Sequence, residues 1–142
     1  MKRAAAVVAA AAAIVLTGCA AEVDELRVTI DGVTVVAEQA TSTEAQRDGL
    51  SGRDAVPEGT GMWFPIGPAQ QTEVWMQDTR VPLDVVWIRD GRVTGVVTLQ
   101  PCTGDPCPRE ASPGVVDAIL EAPAGAFADV ANGATVDLGD AE

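Results

Sequence analysis

From Leu26 to Leu138 the apolar residues fall in short runs that alternate with polar ones at every second position. Each run is closed by glycine, proline, Asp-Gly or Asn-Gly. That is the period of strands with one face buried. Leu26-Arg27-Val28-Thr29-Ile30 and Val33-Thr34-Val35-Val36-Ala37 flank Asp31-Gly32, a pair suited to the left-handed positions of a two-residue hairpin turn. Thr72 to Met76 and Leu83 to Ile88 flank a polar corner, Gln77 to Pro82, and Asp90-Gly91 folds Leu83 to Arg89 back onto Arg92 to Gln100. Met62-Trp63-Phe64 predicts a short buried strand closed by Pro65, Gly67 and Pro68; Val115 to Glu121 and Thr135 to Leu138 predict two more. Helical signals are few. Thr41-Ser42-Thr43-Glu44 has capping-box spacing, with Thr41 as the cap, and predicts a helix over Ser42 to Asp48 stopped by Gly49. Ala124 to Val130 predicts one or two helical turns, whereas Leu50 to Gly61 and the proline-rich stretch Pro101 to Pro113 predict loops. The pattern sums to one mainly β domain, a sandwich or open barrel of six to seven short strands with one or two short helices.

The start of the chain does not follow this pattern. Lys2 and Arg3 precede the apolar run Ala4 to Leu16, which is short for a membrane span, and small residues follow. Leu16-Thr17-Gly18-Cys19 resembles the bacterial lipobox. That resemblance implies a leader over 1–18, cleavage before Cys19, and acyl chains on Cys19 that anchor a tether over 19–25 and a domain over 26–139 at the outer side of the cell membrane. Two or more acyl chains hold a protein stably on a bilayer where one does not.

Composition narrows the chemistry. The 142 residues carry 9 basic and 21 acidic side chains, a net charge of −12. Loss of Lys2 and Arg3 with the leader takes this to −14. Such a chain is repelled by nucleic acid and by anionic headgroups, so attachment is expected through the acyl chains and no nucleic-acid partner is expected. There is no histidine or tyrosine, and no lysine beyond Lys2. Histidine-based nucleophile systems, histidine metal sites, lysine Schiff bases and the P-loop lysine are thereby excluded. Carboxylates, arginine, hydroxyls and thiols remain. An enzyme built from them would use a carboxylate pair or an oxygen-ligated hard cation; no cofactor and no metal site is expected from the motifs present.

An ordered set of landmarks spans most of the chain: Arg47-Asp48-Gly49-Leu50, Arg53, Gly61-Met62-Trp63-Phe64, Trp75-Met76-Gln77-Asp78-Thr79, Pro82-Leu83-Asp84, Pro101-Cys102, Pro106-Cys107-Pro108 and Leu120-Glu121-Ala122-Pro123-Ala124-Gly125. Together they resemble domain of unknown function 192, whose exported members often follow a signal peptide. The resemblance implies a compact β-rich domain and no established reaction, substrate or cofactor. Ser51, Asp78 and Arg109 depart from its usual pattern, which often has methionine, asparagine and a nearby aromatic there.

Candidate chemistry concentrates between Glu73 and Ile88, which holds two of the three tryptophans. Asp84 shares a strand face with Val86 and Ile88, so it is expected either as a carboxylate with a raised pKa or as a structural acid tied to Arg47, Arg53, Arg80 or backbone amides. Glu73, Asp78 and Asp84 are the weak catalytic candidates, as a carboxylate pair. Trp75 is the strongest candidate ligand contact, while tryptophans on strands more often belong to the core. Arg47, Trp75, Asp78 and Asp84 make up the candidate binding set, and Met62 and Met76 read as core filler. Cys102 and Cys107 are expected to pair in an oxidising compartment; a redox pair is the rival reading, although four intervening residues do not match Cys-x-x-Cys. The expected role is binding of an envelope polymer, a small molecule or an envelope protein. A carboxylate-dependent hydrolase of envelope material and a structural assembly part are the alternatives.

Overall fold

The computed structural model describes residues 23–141. The leader, Cys19 and the first residues of the tether lie outside the described residues. Nine strands and one helix follow in order: β1 (Glu25–Ile30), β2 (Val33–Gln39), α1 (Thr43–Asp48), β3 (Thr60–Gln70), β4 (Glu73–Trp75), β5 (Leu83–Arg89), β6 (Arg92–Leu99), β7 (Arg109–Ala111), β8 (Val116–Pro123) and β9 (Val136–Asp140). Seven strands form one sheet in the order β6-β5-β8-β3-β2-β1-β9, and β4 pairs with β7 in a small second sheet. β2 and β3 pair in parallel, joined by the segment that contains α1, and the other pairs are antiparallel.

The large sheet curls until its two edges touch at one end. Val93 at the start of β6 donates to the Ala134 carbonyl and accepts from Gly133, while Val136 at the start of β9 donates to Gly91. The result is a half-barrel with two apolar sides. Alternation along each strand sends Trp63, Val86, Ile88 and Leu120 into the barrel, where Phe127 from the turn after β8 joins them, and Met62, Phe64, Val85, Trp87 and Ile119 to the outer face. The outer face is covered by Ala45 of α1, Leu50 after it, and Val74 and Met76 of the β4 segment. The central strands β5 and β8 are buried on both sides.

Both Asp-Gly hairpins form as the sequence predicts, with Asp31, Gly32, Asp90 and Gly91 all at positive φ. Four expectations are corrected. The helix cap is Ser42, not Thr41: its hydroxyl accepts from the Ala45 amide. The Met62 strand does not stop at Pro65 but runs to Gln70 through a register shift against β8, where prolines are tolerated. The proline-rich stretch holds one short strand, β7, which the Trp75 segment recruits by pairing. Ala124 to Val130 makes turns and no helix, because the amides of Gly125 and Phe127 bond to a side chain on β5.

Candidate functional site

A cavity of about 270 Å3 opens between the C-terminal end of α1, the β4–β7 sheet and the outer face of β8. Each side of it is fixed by a different local feature. Gly49 ends α1 at φ 50 and lays its backbone over the Phe64 ring. The loop after it is tied to the polar corner, since Ser51 Oγ donates to Gln77 O at 2.9 Å and the Gly52 amide donates to Asp78 O at 2.8 Å. Asp78 itself is at φ 56, a conformation that aspartate and asparagine tolerate better than most residues, so backbone geometry accounts for either residue here.

The rim is polar. Trp75 is 36 % exposed, and the guanidinium of its cross-strand partner Arg109 sits 4.1 Å from the indole centroid, within cation–π range. Arg47 lines the same cavity and pairs with its neighbour Asp48 at 2.8 Å, which raises the arginine pKa further. Glu73 and Trp75 face outward on β4 while Val74 and Met76 turn in, so Glu73 also lines the mouth.

Glu121 forms the floor. The residue is 9 % exposed, on a strand otherwise buried on both faces, and it points to the outer side beside Ile119 and Phe64. No hydrogen bond or ion pair among the described residues reaches its carboxyl oxygens, neither of which is sealed from the cavity. Burial alone pushes its pKa up from 4.5 to about 7.

The structure brings three of the four candidate binding residues together. Arg47 and Trp75 line the cavity, and both adjoin Asp78 in a shallow depression beside it. Asp84 does not join them. It is fully buried and faces the barrel interior, accepting from Thr98 Oγ1 at 2.6 Å and from the amides of Gly125 and Phe127 at 2.9 and 2.8 Å. Arg53 pairs with Glu38 and Arg80 with Asp54, so neither reaches Asp84. Trp63 and Trp87 are core, and Cys102 and Cys107 form a disulfide. Among the described residues no group of three or more acids or cysteines could hold a metal ion.

Glu121 and Arg109 are absent from the candidates drawn from the sequence. The signal for Glu121 was present: an acid directly after the apolar run Ala118-Ile119-Leu120, in a strand buried on both faces there. Arg109 reaches the site only through the pairing of β7 with β4, which joins segments 34 positions apart, as Trp75 and Arg109 show.

A family model for domain of unknown function 192, described as an uncharacterized ACR, matches residues 26–138. The chain belongs to the DUF192 family. No curated protein matches it. Two solved structures are similar to this chain in fold. One is a Sinorhizobium meliloti 1021 protein named provisionally as a transcription regulator, with a TM-score of 0.70 at 22 % identity over 80 % of this chain and 92 % of that one. The other, from Novosphingobium aromaticivorans DSM 12444, is of unknown function, with a TM-score of 0.68 at 26 % identity over 80 % of this chain and 83 % of that one. The first of these likenesses speaks for the fold alone.

Proposed function

We propose that this DUF192 protein is a lipid-anchored lipoprotein of the extracytoplasmic side of the membrane whose domain binds a small polar molecule in the cavity above Glu121. The observation that carries the binding reading is the unpartnered Glu121 carboxyl at the floor of a cavity walled by Trp75 and Arg109. Buried polar groups are ordinarily satisfied within the protein, so one left open to a cavity is reserved for something that enters it. At about 270 Å3 the cavity lies just under the roughly 300–1,000 Å3 of ordinary ligand pockets, which favours a small molecule over a polymer. A nucleic-acid role borrowed from the Sinorhizobium neighbour is disfavoured by the net charge of −12. The lipobox-like Leu16-Thr17-Gly18-Cys19 supports the anchor.

Trp75 is the natural reporter, because the other two tryptophans are buried. A metabolite library is screened for compounds that protect fluorescence of the full chain from acrylamide quenching. A ligand of this cavity protects wild type and not Trp75→Phe, and its affinity drops in Arg109→Ala. Protection that survives both substitutions would move the site elsewhere. Cys19→Ser is expected to shift the protein from the membrane to the soluble fraction; unchanged membrane association would remove the lipid anchor.

A hydrolase is the second reading, favoured by one observation: Glu73 and Asp48 line the cavity that Glu121 floors. A protonated buried acid beside an exposed carboxylate is the arrangement of carboxylate-pair hydrolysis. Turnover of a bound compound by wild type distinguishes this from binding alone, and recovery of every bound compound unchanged refutes it.

A further inference from the structure

The floor and the rim of the cavity carry opposite charges that the protein does not match. Glu121 has no donor among the described residues, and Arg109 has no acid partner among the described ion pairs, lying instead on the Trp75 ring. Arg47, the other rim cation, is closed on Asp48. Beside the charged groups the lining mixes apolar Phe64, Leu83 and Ile119, the first and last of which flank Glu121, with the hydroxyls of Ser51, Thr72 and Thr79.

Taking the cavity as the binding site, we infer that its ligand is a small dipolar molecule with an aliphatic middle, an ω-amino acid in chemical class. Its ammonium meets the Glu121 carboxylate and its acid group meets Arg109. A neutral ligand would leave the Arg109 charge unmatched, and an anion alone would add a second negative group beside Glu121. A simple amine would satisfy the floor but meet Arg109 at the mouth. Charge-assisted hydrogen bonds at both ends select the molecule that carries both groups, and the separation of floor from rim, with Phe64 and Ile119 beside the floor acid, selects the length of its spacer.

Binding of this kind is linked to a proton. The charged groups lining the cavity with Glu121 are Arg47 and Asp48 from α1, Glu73 from β4 and Arg109 from β7; β3 and β5 contribute Phe64 and Leu83. The two cations and two acids balance, so the floor acid sets the response. An ammonium favours the ionised carboxylate, so it lowers the Glu121 pKa and expels its proton wherever the empty site is protonated. Affinity is then flat above pH 7 and falls by up to tenfold per pH unit below it.

The test is titration calorimetry on the full chain in mild detergent, using the series 3-aminopropanoate to 6-aminohexanoate, with butylamine and butyrate as single-ended controls. One member of the series is expected to bind at least tenfold more tightly than either control, and its length measures the span from Glu121 to Arg109. At pH 6, enthalpies in buffers of different ionisation heat should show close to one proton released, and at pH 8.5 none. Glu121→Gln should lose at least tenfold in affinity and the proton release, and Arg109→Gln should lose affinity while keeping the proton release. Tightest binding by butyrate, or dipolar binding without proton release at pH 6, overturns the inference while leaving the cavity as a binding site. Silence from every probe, with a library compound protecting Trp75, has the same consequence. Silence from every probe and from the library overturns the cavity reading and this inference together.

Discussion

Replacing Glu121 by glutamine should make the protein more stable at neutral and alkaline pH, the reverse of what removing a buried side chain's charge does when that charge has a partner. The folded pKa of about 7 lies roughly 2.5 units above the ordinary 4.5. At 1.36 kcal/mol per unit, ionising this carboxyl costs the folded state about 3 kcal/mol relative to the unfolded chain. Because the folded state holds the proton to higher pH, stability declines as pH rises from about 4.5 to about 7 and is flat above, as far as this group is concerned. The chain has no histidine, so no imidazole adds a slope in that window. Glutamine is nearly isosteric and does not ionise. Urea unfolding followed by tryptophan fluorescence, at pH 5, 6, 7 and 8, should show Glu121→Gln within about 1 kcal/mol of wild type at pH 5 and more stable by about 2–3 kcal/mol at pH 8. Parallel pH profiles, or a variant weaker than wild type at pH 8, would refute the reasoning. Either would mean that the ionised carboxylate gains a partner, with Arg47 and Arg109 the cations that line the same cavity.

The opposite outcome is expected at Asp84: alanine there strands the buried Phe127 amide and loosens the part-buried Gly125 amide and Thr98 hydroxyl, so urea unfolding should show a loss of about 2–4 kcal/mol, and a loss under about 1 kcal/mol would contradict the structural role. Gly61→Ala would place a Cβ 2.3 Å from the Glu121 carbonyl oxygen, forcing β3 and β8 apart. It should cost about 2–3 kcal/mol in the same assay and lower ligand protection of Trp75 by shifting the floor acid. Arg53 holds the Glu38 pKa below its ordinary value through their hydrogen bond, so this pair adds stability above the unfolded pKa that is lost as pH falls through the folded one. Partial exposure limits it: Arg53→Met should cost under about 1 kcal/mol at pH 7 and nothing near pH 2, read from unfolding at both. Reducing the Cys102–Cys107 bond should lower stability by no more than about 2 kcal/mol, because the ring it closes is small, and a thermal melt with and without reductant checks this.

Local signals carried most of the fold. Asp31-Gly32 and Asp90-Gly91 specify their hairpins because the turn conformation admits few residue types, and alternation fixed which side of each strand is buried. What failed was set by partners far along the chain. Pro65 and Pro68 lie where β3 shifts register against β8, a tolerance visible only once β8 is in place. The Ala124 to Val130 segment has helical composition, yet the Asp84 carboxylate captures two of its amides and holds it in turns. The candidate site divides along the same line. Arg47, Trp75 and Asp78 converge because two loops hydrogen-bond to each other, a contact no local pattern encodes. Arg109 arrives by strand pairing across 34 positions, measured between the paired Trp75 and Arg109.

Asp84 and Glu121 make an internal control for what a buried acid does in this fold. They lie on neighbouring strands, β5 and β8, and are both buried residues, but on opposite faces of the sheet, Asp84 sealed and Glu121 facing the cavity. Asp84 has three donors supplied by the protein, and these fix the chain after β8. Nothing further is needed to explain it. Glu121 has no donor among the described residues, raises the energy of the folded state whenever it ionises, and sits where a methionine or leucine would pack against Phe64 and Ile119 without that cost. Were it a packing residue, the apolar substitution would be an improvement with no loss, so the difference between the two acids is itself a measurement. Glu121→Met should raise stability at pH 8 and abolish ligand protection of Trp75, whereas Asp84→Met should unfold the domain. Should Glu121→Met keep full ligand protection, the floor acid would be dispensable and the cavity would recognise its ligand from the rim alone.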